Sequence, residues 1–314
     1  MWVYEVRIIP DCNLLTFATL LSSRSYPLDD TPQLSPELAA HVERVLRVAM
    51  PTGPGISLSA ALLRRWFKPS FAGLERLPSQ PALFVGNHSL LAVDATIFHL
   101  LMHYDYGRFL RPLGDKTLFA NKQYADAVIQ LGAALGHSEV VMALMREGKD
   151  LLLYPGGTYE AVKQPEQRYE LMWKKRYGFV RMAAKMGYTI VPFAAVGPDE
   201  YFDQHLTGPE VQQARLTQLL IQLGVLPTDL RADLIPPLPA GVFGSPLPKP
   251  KTTYFGFCPP LDLSGYRGRD LTEKQQVKLR GQIEEAIDLE IKNLLLRREQ
   301  QRHRDGLLRR VLNI

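Results

Sequence analysis

The sequence is poor in cysteine: 314 residues hold two, Cys12 and Cys258, too far apart for a metal or redox motif. That usage points to structural thiols in a reducing compartment. Long hydrophobic runs are missing as well. Nowhere do about eighteen apolar residues follow one another without a charge, which argues against a membrane-spanning helix. The apolar run Leu14 to Leu21 follows Glu5, Arg7 and Asp11, an order and length unlike a secretory leader. An ordinary helix or strand is expected there. No Gly-x-Ser-x-Gly elbow, Gly-x-Gly-x-x-Gly turn or phosphate-binding P-loop occurs. The first of these absences counts against an α/β-hydrolase.

What remains is a globular balance, 46% hydrophobic and 22% charged, long enough for one large decorated domain or two modest ones. The net charge of +5 is concentrated at one end. Residues 292–314 hold seven basic side chains against Glu299 and Asp305, so this tail carries all of it. A membrane surface or a solvated helix end suits such a tail. No nucleic-acid motif accompanies it, and nucleic acid is not an expected partner.

Short apolar runs alternate with helical patterns between residues 80 and 200. Strands are predicted at 82–85, 151–154 and 189–195, with a weaker one at 108–112, and helices at 92–103, 140–147 and 176–186. The alternation predicts an α/β fold, a mainly parallel sheet flanked by helices, occupying residues 81–265. Residues 1–80 read as a helical lead-in packed on the core, with helices from Pro36 to about Met50 and from Ser57 to Phe67. Residues 198–250 read as an elaboration: a helix from Gly208 to Gly224, then a segment with eight prolines between Pro236 and Pro260, expected as an ordered surface loop. A late strand is predicted at 252–257. The final part, 266–314, is expected to be a basic amphipathic helix running from Leu271 to about Arg304, with Ile283, Ile287, Ile291 and Leu294 at helical spacing.

Two elements carry chemistry. In the first, Gly86-Asn87-His88-Ser89-Leu90-Leu91-Ala92-Val93-Asp94, a histidine follows an apolar strand and a carboxylate follows six residues later. A histidine at a strand end with a carboxylate in reach is a general-base arrangement. Six residues turn a straight helix through about 600°, so His88 must sit in the turn before the helix and Asp94 in its first turns. The second element is Tyr154-Pro155-Gly156-Gly157-Thr158-Tyr159-Glu160-Ala161, a strand entering a glycine turn whose backbone N–H groups can approach a ligand. His99 and His103 stand four apart on a helix, but without the glutamate of a zinc motif no metal is expected. Trp173-Lys174-Lys175-Arg176 reads as a contact for lipid headgroups or donor phosphates, or as a solvated helix start.

Taken in order, Asn87-His88 with Asp94, the 154–161 block and Val191-Pro192 leading to Gly197 resemble three of the four blocks of glycerolipid acyltransferases. The branch that looks like diacylglycerol acyltransferases, with Pro-Gly-Gly-x-x-Glu-Ala as its third block, is the most similar. The resemblance covers roughly residues 60–265. It implies a membrane-associated O-acyltransferase, and the missing spanning run and leader lead to the expectation of peripheral attachment on the cytoplasmic side. It implies transfer of a fatty acyl chain from a thioester of coenzyme A or acyl carrier protein to a lipid hydroxyl. His88 is then the base and Asp94 its orienting partner. Asn87, Pro155, Gly156, Gly157, Thr158, Tyr159, Glu160 and Arg111 become candidate substrate contacts, and no cofactor is needed beyond the thioester co-substrate. Family members more commonly have four residues between the histidine and the aspartate; here there are five, a spacing the compared branch tolerates. Phosphate-accepting members carry an arginine where this chain has Tyr159, and another in a block where this chain offers His137 and Ser138. Phosphate monoesters call for such forked, permanently charged donors. The acceptor is therefore expected to be neutral: diacylglycerol, monoacylglycerol or a fatty alcohol. Arg111, Lys116, Lys122 and Arg146 are the alternative phosphate contacts. Open alternatives are a lysophosphatidate acyltransferase, a thioesterase or lipase using the same base on water, and a catalytically silent lipid-binding protein.

Overall fold

The computed structural model describes residues 34–49, 52–222, 235–301 and 306–313. Cys12 and the apolar run 14–21 lie outside them. Helix α1 (Pro36–Arg47) opens on Ser35, whose hydroxyl accepts the Leu38 N–H, with proline in the first turn. Helix α2 (Pro54–Phe67) follows, and strand β1 (Ser70–Ala72) lies within the expected lead-in.

The alternating region then runs β2 (Ala82–Gly86), α3 (Val93–Tyr106), β3 (Arg111–Gly114), α4 (Lys122–Gln130), β4 (Ala134–Leu135) and α5 (Ser138–Arg146). It continues with β5 (Leu151–Leu153), α6 (Thr158–Ala161), α7 (Gly178–Met186) and β6 (Thr189–Val196). After it come β7 (Asp203–Leu206), α8 (Gly208–Gln213), α9 (Arg215–Gln222), β8 (Leu238–Ala240) and β9 (Tyr254–Phe257). Helices α10 (Glu273–Gln301) and α11 (Leu307–Leu312) close the described chain.

Seven strands form one sheet in the order β1-β9-β6-β2-β5-β3-β4, parallel throughout except where β9 meets β6. The fold is α/β with a mainly parallel, helix-flanked sheet. Its centre explains the apolar runs: all five residues of β2 and seven of the eight in β6 are buried, because both faces are covered. On one face Phe84, Phe98, Phe193, Phe255 and Phe257 form an aromatic core with Phe67 of α2. Phe98 and Phe193 stack at 4.2 Å and 4°. Each buried ring contributes about 2–3 kcal/mol from burial. On the other face Gly256 lies against Glu290 of α10, and Ile283, Ile287, Ile291 and Leu294 are buried where that helix crosses β6 and β9.

Several expected elements differ in detail. The weak strand at 108–112 is displaced to β3, because the Arg108 guanidinium is drawn to both oxygens of Asp150 and to the Pro78 carbonyl. The helix expected from Gly208 breaks at Ala214, whose ψ of 137° is extended, giving α8 and α9. Part of the proline-dense segment is strand, not loop: β8, with Pro239, pairs antiparallel with β7 in a separate two-stranded sheet. A two-stranded ribbon has free edges, and an edge tolerates a residue without an N–H.

Candidate active site

The register Gly86↔Phe193 and Val85↔Leu153 aligns the carboxyl ends of β2, β6 and β5. Both chemical elements therefore leave the sheet at one edge, where α/β folds bind ligands. Gly86 is obligatory there: a Cβ would collide with the Phe193 ring. Past it, the Asn87 carboxamide accepts the Ala195 N–H at 2.7 Å and donates to the Ala195 carbonyl at 3.0 Å. It mimics one more peptide group and extends the β2–β6 ladder by a step.

His88 lies in the turn before α3 and Asp94 in the first turn of that helix, as the spacing requires. Between them, Leu91 (φ 58°) and Ala92 (φ 59°) are successive left-handed residues with side chains. Such a pair costs about 1–2 kcal/mol per residue and is held by its surroundings. It brings Asp94 Oδ2 to 3.0 Å from His88 Nδ1. The other oxygen, Oδ1, accepts the Ser89 hydroxyl at 2.6 Å and the Ser89 N–H at 3.2 Å. Complete burial would raise the Asp94 pKa, but the His88 ring and the Ser89 donors overcome it and hold the carboxyl below its ordinary value. The N-terminus of α3 favours the same charge. The far face of the imidazole is covered by Tyr154, stacked at 4.0 Å and 14°.

Glu160 is fully buried and spans two segments: Oε2 accepts the His88 N–H at 2.7 Å and Oε1 the Met172 N–H at 2.9 Å. Burial pushes its pKa up, against the lowering influence of Lys163 and the two N–H donors. The glycine turn follows from this contact. A Cβ on Gly156 would overlap the Glu160 carboxyl, and Gly157 has φ 52° and ψ −133°, a region open essentially to glycine alone. Arg176 clamps the turn from outside, donating to the Pro155 and Gly156 carbonyls at 2.8 and 3.0 Å.

The structure brings together Asn87, His88, Asp94 and the 155–160 block, but two candidate substrate contacts face inward. Asn87 and Glu160 are buried with their polar atoms bonded to backbone groups, so they hold the site's backbone. Arg111 does not join the site. Paired with Leu151, itself opposite Leu83, it lies about 10 Å before the strand end at Gly86. Its guanidinium stacks on Phe109 at 4.1 Å and donates to the Val48 carbonyl. His99 also packs against Phe109, and burial pulls its pKa down to about 4. The 173–176 stretch is not a helix start: Trp173 is fully buried, and Lys174 sits over the Tyr159 ring at 3.2 Å. Cys258 is buried, and its thiol is pushed up to about 12 by burial, with Glu290 adding to the rise.

Ser89, Tyr154, Lys163, Tyr169 and Asp199 escaped the sequence reading, and Arg176 was read there only as a headgroup or phosphate contact or a helix start. Asp199 accepts from Leu90 N, Tyr169 N and, at 3.1 Å, the buried Lys163 ammonium, pinning the His88 turn to a distant loop. Tyr154 and Ser89 stood inside the two chemical elements; Lys163, Tyr169 and Asp199 carry no local signal.

Residues 68–196 match the family model described as Acyltransferase. The match runs from the end of α2 through β6 and takes in His88, Asp94 and the glycine turn. Phytyl ester synthase 2, chloroplastic, of Arabidopsis thaliana is 36% identical over 136 residues, 40% of this chain and 19% of that protein. The "DGAT1/2-independent enzyme synthesizing storage lipids" of Gallus gallus is 30% identical over 129 residues, 41% of this chain and 39% of that one. This chain thus covers well under half the length of either relative. Among solved structures, the 1-acyl-sn-glycerophosphate (LPA) acyltransferase PlsC from Thermotoga maritima is similar with a TM-score of 0.45 and 14% identity, covering 76% of this chain and 78% of that chain.

Proposed function

We propose that this chain moves a fatty acyl group from a thioester to the hydroxyl of a neutral lipid acceptor, with His88 as general base. The observation that carries this reading is the 3.0 Å contact between His88 Nδ1 and the ionised Asp94. An ionised carboxylate there keeps the proton on Nδ1, leaving the Nε2 lone pair for the acceptor hydroxyl. Nε2 takes the hydroxyl proton as oxygen attacks the thioester carbonyl. Asp94 stabilises the imidazolium that forms. Collapse of the tetrahedral oxyanion re-forms the carbonyl and expels the thiolate, which takes the proton back from Nε2. Among the described residues the Gly156 N–H has no bonded partner, which makes it a candidate oxyanion donor.

The neutral acceptor rests on Tyr159 standing where phosphate-accepting relatives carry arginine. What the names of the plant and chicken relatives say of those proteins points the same way. One observation favours the second reading, a lysophosphatidate acceptor: Lys174 and Arg176 bring two cations within 5.4 Å of the Tyr159 ring. Peripheral attachment to a membrane is part of the proposal. No described helix is long and apolar enough to cross one, and Leu58 and Leu62 of α2 are 61% and 59% exposed.

The test is transfer of a radiolabelled acyl chain to liposomes holding diacylglycerol, a long-chain alcohol or lysophosphatidate. Label in triacylglycerol or in an ester of the alcohol supports the proposal. Label in phosphatidate overturns the neutral acceptor, and free fatty acid alone overturns transfer in favour of hydrolysis.

A further inference from the structure

The sheet edge that carries His88 also borders a recess. A cleft of about 1140 Å³ lies among the starts of β1 and β9, the end of α10 and α11. Five cations line it, Lys68, Lys251, Arg297, Arg298 and Arg310, against Glu200 and Glu299, a net charge of +3. Arg298 is already paired with both carboxylates. The other four form no close carboxylate ion pair among the described residues, although Glu200 and Asp203 attract Lys251 from further away. Arg297 reaches only the Ser70 hydroxyl at 3.4 Å and Lys251 only the Asn313 carbonyl at 3.5 Å.

Cations held this close repel one another unless an anion joins them. Burial lowers the Lys251 pKa, and Lys249 and Arg298 push it the same way, against Glu200 and Asp203. The cluster is also fixed in place. Arg309, on α11 beside Arg310, donates to the Trp66 carbonyl and the Thr252 hydroxyl, tying α11 to α2 and to the cleft wall.

We infer that this cleft binds the phosphate groups of a nucleotide-bearing thioester donor. The inference rests on the acyl-transfer reading and narrows its donor to the coenzyme A type. Guanidinium and ammonium groups without carboxylate partners are the chemistry that holds phosphate. The volume suits a nucleotide better than a single phosphate. A neutral acceptor has no phosphate to place there; a coenzyme A thioester has three. The location fits as well. From β2 the sheet steps to β6, β9 and β1, placing the cleft about 10–15 Å across the edge from His88, with the thioester end free to reach it. The two sites share one turn: Asp199 holds Leu90 in the His88 loop, and its neighbour Glu200 lines the cleft.

Calorimetric titration of the full chain with coenzyme A, adenosine 3′,5′-bisphosphate and adenosine tests this. The two phosphorylated ligands are expected to bind and adenosine to bind far more weakly. The double variant Arg297→Gln/Arg310→Gln and, separately, Lys68→Gln are expected to weaken binding on the order of tenfold per cation. Added salt is expected to weaken it as well. Thermal unfolding reports whether each variant is folded, and Lys68→Gln carries the test if the double variant is not. His88→Ala is expected to bind as the parent does. Nucleotide binding that persists when no acceptor is acylated supports the cleft and removes only the catalytic reading. Unchanged affinity in the folded variants, or no nucleotide binding by the parent, overturns the inference. So does binding to phosphatidylglycerol vesicles that the variants lose while nucleotide does not bind, which would give the cleft to lipid headgroups.

Discussion

The Glu160 carboxylate accepts the backbone N–H of His88 at 2.7 Å across 72 residues of sequence. The two motifs are one device: the second holds the backbone on which the first presents its imidazole. Gly156 has no side chain because that carboxylate occupies the space. Gly156→Ala is expected to displace Glu160 and lower turnover much as Glu160→Ala does. Glu160→Gln, which keeps the shape but trades one acceptor for an N–H donor, is expected to cost about 1–3 kcal/mol of stability. Steady-state kinetics beside denaturant unfolding checks both. Full activity in Gly156→Ala would refute the coupling.

Arg111 gives a contrast between sequence and structure. Stacked on Phe109 and bonded to the Val48 carbonyl, it serves packing at the far end of β3. Arg111→Gln is expected to leave the KM for the acceptor unchanged while lowering the unfolding free energy by about 1–2 kcal/mol. A raised KM without loss of stability would return Arg111 to the acceptor site.

The central strands, the parallel sheet and the His88–Asp94 relationship were legible in the sequence because each has a local signature: an apolar run, a strand end, a fixed spacing. Strands β1 and β4, of three and two residues, are too short to show a period. Helix α4 is half polar and starts on an Asn121 cap that reads equally as a turn. The bonds of Arg176 and Asp199 were invisible for another reason. Each acts through backbone groups 20 to 109 residues away, and such contacts leave no pattern in the neighbouring sequence.

Strain at the entry to α3 is directly measurable. Ala92 has φ 59° and ψ 23°. Ala92→Gly is expected to hold stability or raise it by up to about 1 kcal/mol, relief of the left-handed strain offsetting the added chain entropy. The β-branched Ala92→Val is expected to lower it by about 2 kcal/mol. Equal stability of the two variants would contradict a left-handed Ala92.

Acid stability follows from the carboxylates. Asp94 lies below its ordinary value of 3.8 when folded. The unfolded chain therefore binds the extra proton first as pH falls. The stability Asp94 supplies is full above about 3.8 and is lost as pH drops through the folded value. Glu200, which burial alone would raise, is held low chiefly by Arg298 and acts in the same direction. Glu160 has the opposite sign: its raised pKa supplies stability below 4.5 that is lost as pH rises through the folded value. Denaturant unfolding from about pH 5 to pH 3 is expected to show a shallower decline for Asp94→Asn than for the parent. Parallel declines would contradict the low Asp94 pKa.

The central claim is that the His88 imidazole, held by Asp94 and Tyr154, takes the acceptor's proton. Its most direct measurement is the rate of acyl transfer by His88→Ala against the parent, with thermal unfolding confirming that both are folded. Loss of transfer by a factor on the order of 10²–10⁴ is predicted, with unfolding little changed. A folded His88→Ala variant that transfers at the parent's rate would contradict the account.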